Sequence, residues 1–278
     1  MRQGILPNWH CPSEPNESRI PVMKIVAVAN QKGGVGKTTT SVNLAASLAA
    51  MGRQVLLVDL DPQGNATMSS GVDKQAAELT TYDLLVDELP LNEVMVPAAD
   101  SGYFVVPANR NLTAAEVELL DVDGRERRLA KALSAGYQFD LIIIDCPPSL
   151  SMLTINALVA AQSVIVTMQC EYFALEGLSA LLNTIRRIAD TVNPKLKIEG
   201  ILRTMYDPRN SLTGEVSKEL QKHFGDLVYR TVIPRNVRLA EAPSHGLPAL
   251  HYDRYSSGAR AYAALAGEFV KKQNQDAS

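Results

Sequence analysis

The stretch Lys24-Ile25-Val26-Ala27-Val28-Ala29-Asn30-Gln31-Lys32-Gly33-Gly34-Val35-Gly36-Lys37-Thr38-Thr39 decides the fold. A short apolar run from Lys24 to Asn30 reads as a buried strand, and the Ala- and Leu-rich stretch from Lys37 to Met51, stopped by Gly52, reads as a helix. Between them, Gly33, Gly34 and Gly36 free the backbone to turn successive N–H groups toward one point, and the helix start adds the positive end of its dipole. A loop of this form cradles polyphosphate. Lys37 reaches the β and γ phosphates, Thr38 supplies a hydroxyl to a bridging Mg²⁺, and Val35 and Thr39 complete the lining. A glycine-rich turn with surface lysines would not need the strand before it and the helix after it.

Outward from this loop the pattern repeats. Val55 to Asp59, Phe104 to Ala108, Leu141 to Asp145, Val164 to Met168, Ile198 to Thr204 and Leu227 to Ile233 are short and apolar throughout, as strands covered on both faces must be. Helices are expected at Asn111 to Leu120, Glu126 to Ala135, Leu150 to Ala160, Leu175 to Val192, Gly214 to Phe224 and Ser257 to Lys272, with Ser256 or Ser257 capping the last. Alternation of this kind predicts an α/β fold with one doubly wound, mostly parallel sheet flanked by helices. The second strand ends in Asp59-Leu60-Asp61, at the carboxyl edge where such sheets bind ligands, so both carboxylates can face Mg²⁺ or the attacking water; the alternative is that both cap backbone turns. Leu141-Ile142-Ile143-Ile144-Asp145 places a third carboxylate, Asp145, to hold Mg²⁺ through water. Cys146 has no histidine near it in sequence and reads as a small buried residue, not a nucleophile.

Composition narrows the function classes. At 278 residues, 46% hydrophobic and 21% charged, the chain can bury a large core and is not globally disordered. Cys11, Cys146 and Cys170 form no disulfide framework or metal clip, and no apolar run is long enough to span a membrane, so a cytoplasmic location is expected. The net charge of −3 argues against a strongly basic nucleic-acid binder but says nothing of a local patch. Met1 to Val22, with Pro7, Pro12, Pro15 and Pro21, reads as a flexible N-terminal extension, and 23–278 as a single domain.

One departure in the loop is informative. The common pattern G-x-x-x-x-G-K-[ST] has Gly where this chain has Gln31, and Lys32 is added, so that K-G-G-x-G-K-T resembles the deviant Walker A motif of the ParA/MinD superfamily of P-loop ATPases. The resemblance continues through Gln169 to Gly177, Thr204 to Asp207 and Ile233 to Ser244, and is strongest to the chromosomal, Soj-like ParA branch. It implies that 23–278 is a single ATPase domain with a P-loop NTPase fold, and slow hydrolysis of Mg-ATP by an ATP-sandwich homodimer. In that dimer Lys32 crosses to the other subunit's phosphates, Asp61 positions the water, Asp59 stands in the outer metal shell and Cys146-Pro147-Pro148-Ser149 forms a second switch. It also implies nucleoid-associated, sequence-independent binding of double-stranded DNA, with Arg209 and Arg238 on its phosphates, although either arginine taken singly reads first as an ordinary surface ion pair, and a ParB-type partner that stimulates hydrolysis and release. Residues 201–260 carry nine Lys or Arg against six Asp or Glu, a local balance compatible with a modest basic face. Pro234 and Asn236 match positions beside the adenine ring, although Pro-Arg-Asn is also a common helix start.

Relatives with a DNA-reading helix-turn-helix ahead of the ATPase are not expected matches, because a Pro-rich stretch ending at Val22 cannot fold one. A MinD-like membrane-associated ATPase is the alternative function. The terminal stripe Tyr262, Leu265, Phe269 and Val270 fits a core-packing helix better than a membrane anchor, so no membrane partner is expected. An iron–sulfur reductase lacks its cysteine pair, and a metabolite ligase or kinase lacks a visible acceptor constellation.

Overall fold

The computed structural model describes residues 23–99, 101–134, 138–172 and 174–276. The expected extension, with Cys11, lies outside the described residues, as does Ala135 at the end of one expected helix. The strands are β1 (Lys24–Ala29), β2 (Val55–Asp59), β3 (Val96–Pro97), β4 (Phe104–Val106), β5 (Leu141–Asp145), β6 (Ser163–Gln169), β7 (Lys197–Tyr206) and β8 (Val228–Pro234). They form one sheet in the order β3-β4-β2-β5-β1-β6-β7-β8, parallel throughout except where β3 pairs with β4.

Period-2 alternation sends each strand's side chains into two apolar layers. Val26, Val28, Leu57 and Ile143 face one side with Val42 and Leu44 of α1 (Lys37–Ala49) and Tyr262 and Leu265 of α12 (Ser257–Asp276). Ala27, Leu56, Val58, Ile142 and Ile144 face the other with Leu112 of α5 (Leu112–Glu118), Leu129 of α6 (Arg128–Leu133), Leu153 of α7 (Met152–Ala160) and Leu178 of α8 (Ala174–Thr191). Every residue of β2 and β5 is buried, which is why those runs read as unbroken apolar segments. The terminal stripe is used internally: Tyr262 and Phe269 are buried and the Tyr262 hydroxyl meets Thr40 Oγ1 at 3.1 Å. The expected core-packing role of this helix is the observed one. Among the described residues no helix is long and apolar enough to cross a membrane.

Differences from expectation have local causes. The third expected strand stops at Val106 because Pro107 has no N–H for the ladder. Helix α9 (Ser211–Phe224) starts before Gly214 because the Asn210 side chain accepts from Leu212 N at 3.0 Å. Of the two serines offered as the last cap, Ser256 is used, its Oγ accepting from Ala259 N at 3.2 Å. Helices α2 (Asn65–Ser69), α3 (Thr81–Leu85), α4 (Leu91–Val94), α10 (Val237–Glu241) and α11 (Ala249–Tyr252), and strand β3, are too short to leave a periodic signature.

Candidate nucleotide site

β1 lies between β5 and β6, and the glycine-rich loop leaves its carboxyl end to begin α1. Gly34 and Gly36 adopt left-handed φ of 71° and 80°, and Gly36 occupies the cap position of α1 with no side chain to block it. The first-turn amides of a helix have no partner within it, so those at 37–39 are available to an anion. The loop is braced from below: Asn30 Oδ1 accepts from Lys32 N at 2.9 Å, Thr204 Oγ1 donates to Val35 O at 2.8 Å and Gln169 Nε2 donates to Gly34 O at 3.2 Å. Met205, next to Thr204, holds a left-handed φ of 49°, a strained conformation beside the site.

The two lysines stand differently. Lys37 is buried, and its Nζ donates to Lys32 O at 3.1 Å, folding back over its own loop. Burial lowers its pKa, while Asp145, Cys146 and Asp61 work the other way. Lys32 points outward and pairs with Glu171 at 2.5 Å, both side chains about half exposed.

The carboxylates converge beneath the loop. Asp59 and Asp145 are register partners on β2 and β5, and both are fully buried. Asp145 Oδ2 accepts from Thr38 Oγ1 and Oδ1 accepts from Ser41 Oγ, each at 2.8 Å. Asp59 Oδ2 accepts from Thr67 N at 2.8 Å and Thr67 Oγ1 at 2.7 Å, and Oδ1 accepts from Asp61 N at 3.1 Å. Asp61 Oδ1 accepts from Gln63 N at 3.0 Å. Burial raises the Asp145 carboxyl well above the ordinary carboxylate range, and the facing Asp59 raises it further; burial raises Asp59 as well, against the pull of the Thr67 bonds. Two buried carboxylates facing each other make a locus that favours positive charge. Among the described residues no cluster of three or more His, Cys, Asp or Glu could cage a metal. The oxygen donors at this place, the Asp145 and Asp59 carboxylates and the Thr38 hydroxyl, are of the kind that suits Mg²⁺, which keeps waters and takes phosphate oxygens. Cys146 is buried, and its thiol is pushed up by burial, as expected for a packing residue.

Residues 23–198 match a family model described as an AAA domain. The sporulation initiation inhibitor protein Soj of Bacillus subtilis is 55% identical over 88% of this chain and 97% of its own. Chromosome partitioning protein ParA of Caulobacter vibrioides is 48% identical over 90% of this chain and 95% of its own. The chain belongs to the Soj/ParA family. Among solved structures, the family fold is matched by a Mycobacterium smegmatis protein described as cobyrinic acid a,c-diamide synthase with bound ATP analog and magnesium, at TM-score 0.80 and 39% identity over 91% of this chain and 96% of that one. Septum site-determining protein MinD of Pyrococcus horikoshii, complexed with Mg-ADP, matches at TM-score 0.73 and 25% identity over 88% of this chain and 95% of that one. The expected ParA/MinD-type P-loop fold is thus the observed one.

The remaining Soj/ParA-type positions lie at the β8 edge of the sheet. Tyr206 and Pro234 pair at the carboxyl ends of β7 and β8. Asn236 caps α10: its Oδ1 accepts from Leu239 N at 3.3 Å and its Nδ2 donates to Ser257 Oγ at 2.8 Å, so the helix-start reading of this residue holds. Arg209 is exposed and gives Nε and Nη2 to Asp207 at 2.9 and 2.8 Å, and Arg238 gives Nη1 to Glu241 at 2.7 Å and faces Asp253 at 3.4 Å. Gln169, Glu171 and Thr204 lie in stretches that carry the resemblance but had no role assigned to them, and Ser41 and Thr67 enter the site without having been anticipated. Ser41 had a usable signal, since it stands one helical turn beyond Thr38.

Proposed function

We propose that this chain is an ATP-driven chromosome-partitioning switch that hydrolyses ATP slowly. Mg-ATP occupies the loop, with Gly33 to Thr39 around the phosphates, Lys37 on the β and γ phosphates and Pro234 and Asn236 beside the base. Thr38 and Asp145, with Asp59 in the outer shell, would hold Mg²⁺, which would supply neutralisation of phosphate charge. Asp61 orients the attacking water. Two such chains sandwich two nucleotides, and the dimer grips double-stranded DNA without sequence preference through Arg209 and Arg238, doubling a modest basic face. A ParB-type partner accelerates hydrolysis, which returns the chain to monomers and releases the nucleoid.

The observation that carries this reading is the division of labour between the lysines: Lys37 is committed to its own loop, whereas Lys32 stands at the exposed mouth and pairs with Glu171. An exposed pair of this kind is worth only about 0–1 kcal/mol, so a partner subunit's phosphates can take Lys32 from it. The higher identity to Soj, 55%, than to the metabolite synthase, 39%, also favours partition over small-molecule chemistry.

The test is binding to a non-specific duplex without nucleotide, with ADP and with ATP, at two salt concentrations, using Asp61→Ala to hold ATP. Binding only with ATP, weaker at high salt and lost in Arg238→Glu with basal hydrolysis intact, is expected. Binding indifferent to nucleotide, or absent in every state, refutes the reading.

A further inference from the structure

Two glycines distant in sequence touch backbone to backbone. Gly71, just past α2, and Gly246, which ends the 3-10 turn Ala242–His245, have left-handed φ of 78° and 64°. A Cβ on Gly246 would stand 3.0 Å from Gly71 Cα, and one on Gly71 would stand 3.0 Å from Gly246 O and 2.9 Å from Ala99 Cβ. Neither position has room for a side chain.

What the contact joins gives it meaning. On one side, Thr67 of α2 holds Asp59 through both its N–H and its hydroxyl, so α2 is tied to the carboxylates under the phosphate loop. On the other, the 242–245 turn continues directly from α10, where Arg238 is held by Glu241. That unit is internally braced: Tyr252 donates its hydroxyl to the same Glu241 oxygen at 3.3 Å and stacks on His245 at 4.8 Å between ring centroids. A groove of about 410 Å³, lined by Thr39, Asn65, Met68, Pro243 and Leu247 among others, lies between the two elements beside the joint.

We propose that the Gly71–Gly246 contact is the joint through which occupancy of the phosphate site reaches Arg238, setting whether this arginine stays paired with Glu241 or is presented to DNA. The inference rests on the DNA-binding reading above. Coupling between two sites is commonly about 5- to 150-fold in affinity, and a packed contact between two braced elements is the kind of link that carries it.

The experiment compares the gain in duplex affinity on adding ATP in the wild-type chain, in Gly246→Ala and in Gly124→Ala. Gly124 is the control, because its φ of 69° carries the same left-handed strain, while an added methyl group there would meet nothing within 4 Å. Gly246→Ala is expected to cut the ATP-induced gain about tenfold while ATP affinity changes by less than about twofold, and Gly124→Ala to keep the gain. A gain preserved in Gly246→Ala, or lost equally in Gly124→Ala, overturns the joint. A wild-type chain with no ATP-induced gain overturns the functional reading and the joint with it. Should Gly246→Ala not fold, hydrogen exchange on the wild-type chain decides: the Gly246 and Leu247 amides, bonded to Pro243 O and Ala242 O, are expected to change protection when Mg-ATP binds, and unchanged exchange refutes the proposal.

Discussion

Replacing Ser41 by alanine removes one of the two hydroxyls that donate to Asp145, while leaving Thr38 and the phosphate loop in place. Ser41 is completely buried, and alanine fills nearly the same volume, so the change is confined to one hydrogen bond to a carboxylate and a weaker one to Lys37 O. A hydrogen bond to a charged group contributes about 1.5–3 kcal/mol, which at roughly 2–4 °C per kcal/mol lowers the unfolding midpoint by about 3–12 °C. The bond favours the ionised carboxylate. Burial and Asp59 already hold the Asp145 carboxyl high, so its loss of a donor raises it further. A raised carboxyl costs stability in full above its folded value, and that cost declines as pH falls and is gone only below the ordinary value of the unfolded chain. Wild type and variant differ only while the folded carboxyl is ionised, so the Ser41→Ala penalty should be largest in alkaline buffer and shrink as pH falls through the folded value. Denaturant unfolding of wild type, Ser41→Ala, Asp145→Asn and the double variant closes a thermodynamic cycle. A coupling energy below about 0.5 kcal/mol at alkaline pH, or one that grows on acidification, would refute the reasoning.

Three further outcomes follow from the site and its frame. Lys37→Ala should abolish ATP binding measured by calorimetry, because the phosphates lose their buried point charge; micromolar affinity retained would remove the loop assignment. Asp61→Ala should still dimerise with ATP in sedimentation while turnover stops, and a variant monomeric with ATP would contradict the water-positioning role. Glu199, whose side chain is 3% exposed, pairs with Lys24 at 2.6 Å and also accepts from Gln273. Taking the carboxylate away from the largely buried Lys24 in Glu199→Ala should cost about 3–5 kcal/mol, with Lys24→Met/Glu199→Leu recovering most of it in thermal unfolding; a single variant as stable as wild type would mean the pair is solvated.

How much was legible depends on how local each cause is. β1, β2 and β5 were readable because strands covered on both faces must be apolar throughout, and the phosphate loop because three glycines between a strand and a helix have few other uses. Asp59, Asp61 and Asp145 followed from their places at strand ends. The pairing of Lys32 with Glu171 joins residues 139 apart, and the grip of Thr67 on Asp59 depends on the five-residue helix α2. Neither arrangement leaves a period or a spacing to read. Gly71 and Gly246 illustrate the boundary: a glycine marks a turn in sequence, but that each is the other's neighbour is a property of the folded chain alone. Arg209 and Arg238 fall on the legible side, since a lone arginine reads most simply as a surface ion pair and each is paired, with Asp207 and with Glu241.

The terminal helix has a consequence for synthesis. The strand that carries the phosphate loop emerges first, yet its opening residue, Lys24, is tied to Gln273, 249 residues later, and Thr40 waits for Tyr262, 222 residues later. Until residue 169 has been made, β1 also lacks β5 and β6, its neighbours on both sides. The phosphate loop is therefore made long before the last contacts that hold its strand and helix, and a chain truncated before α12 lacks those that Gln273 and Tyr262 supply.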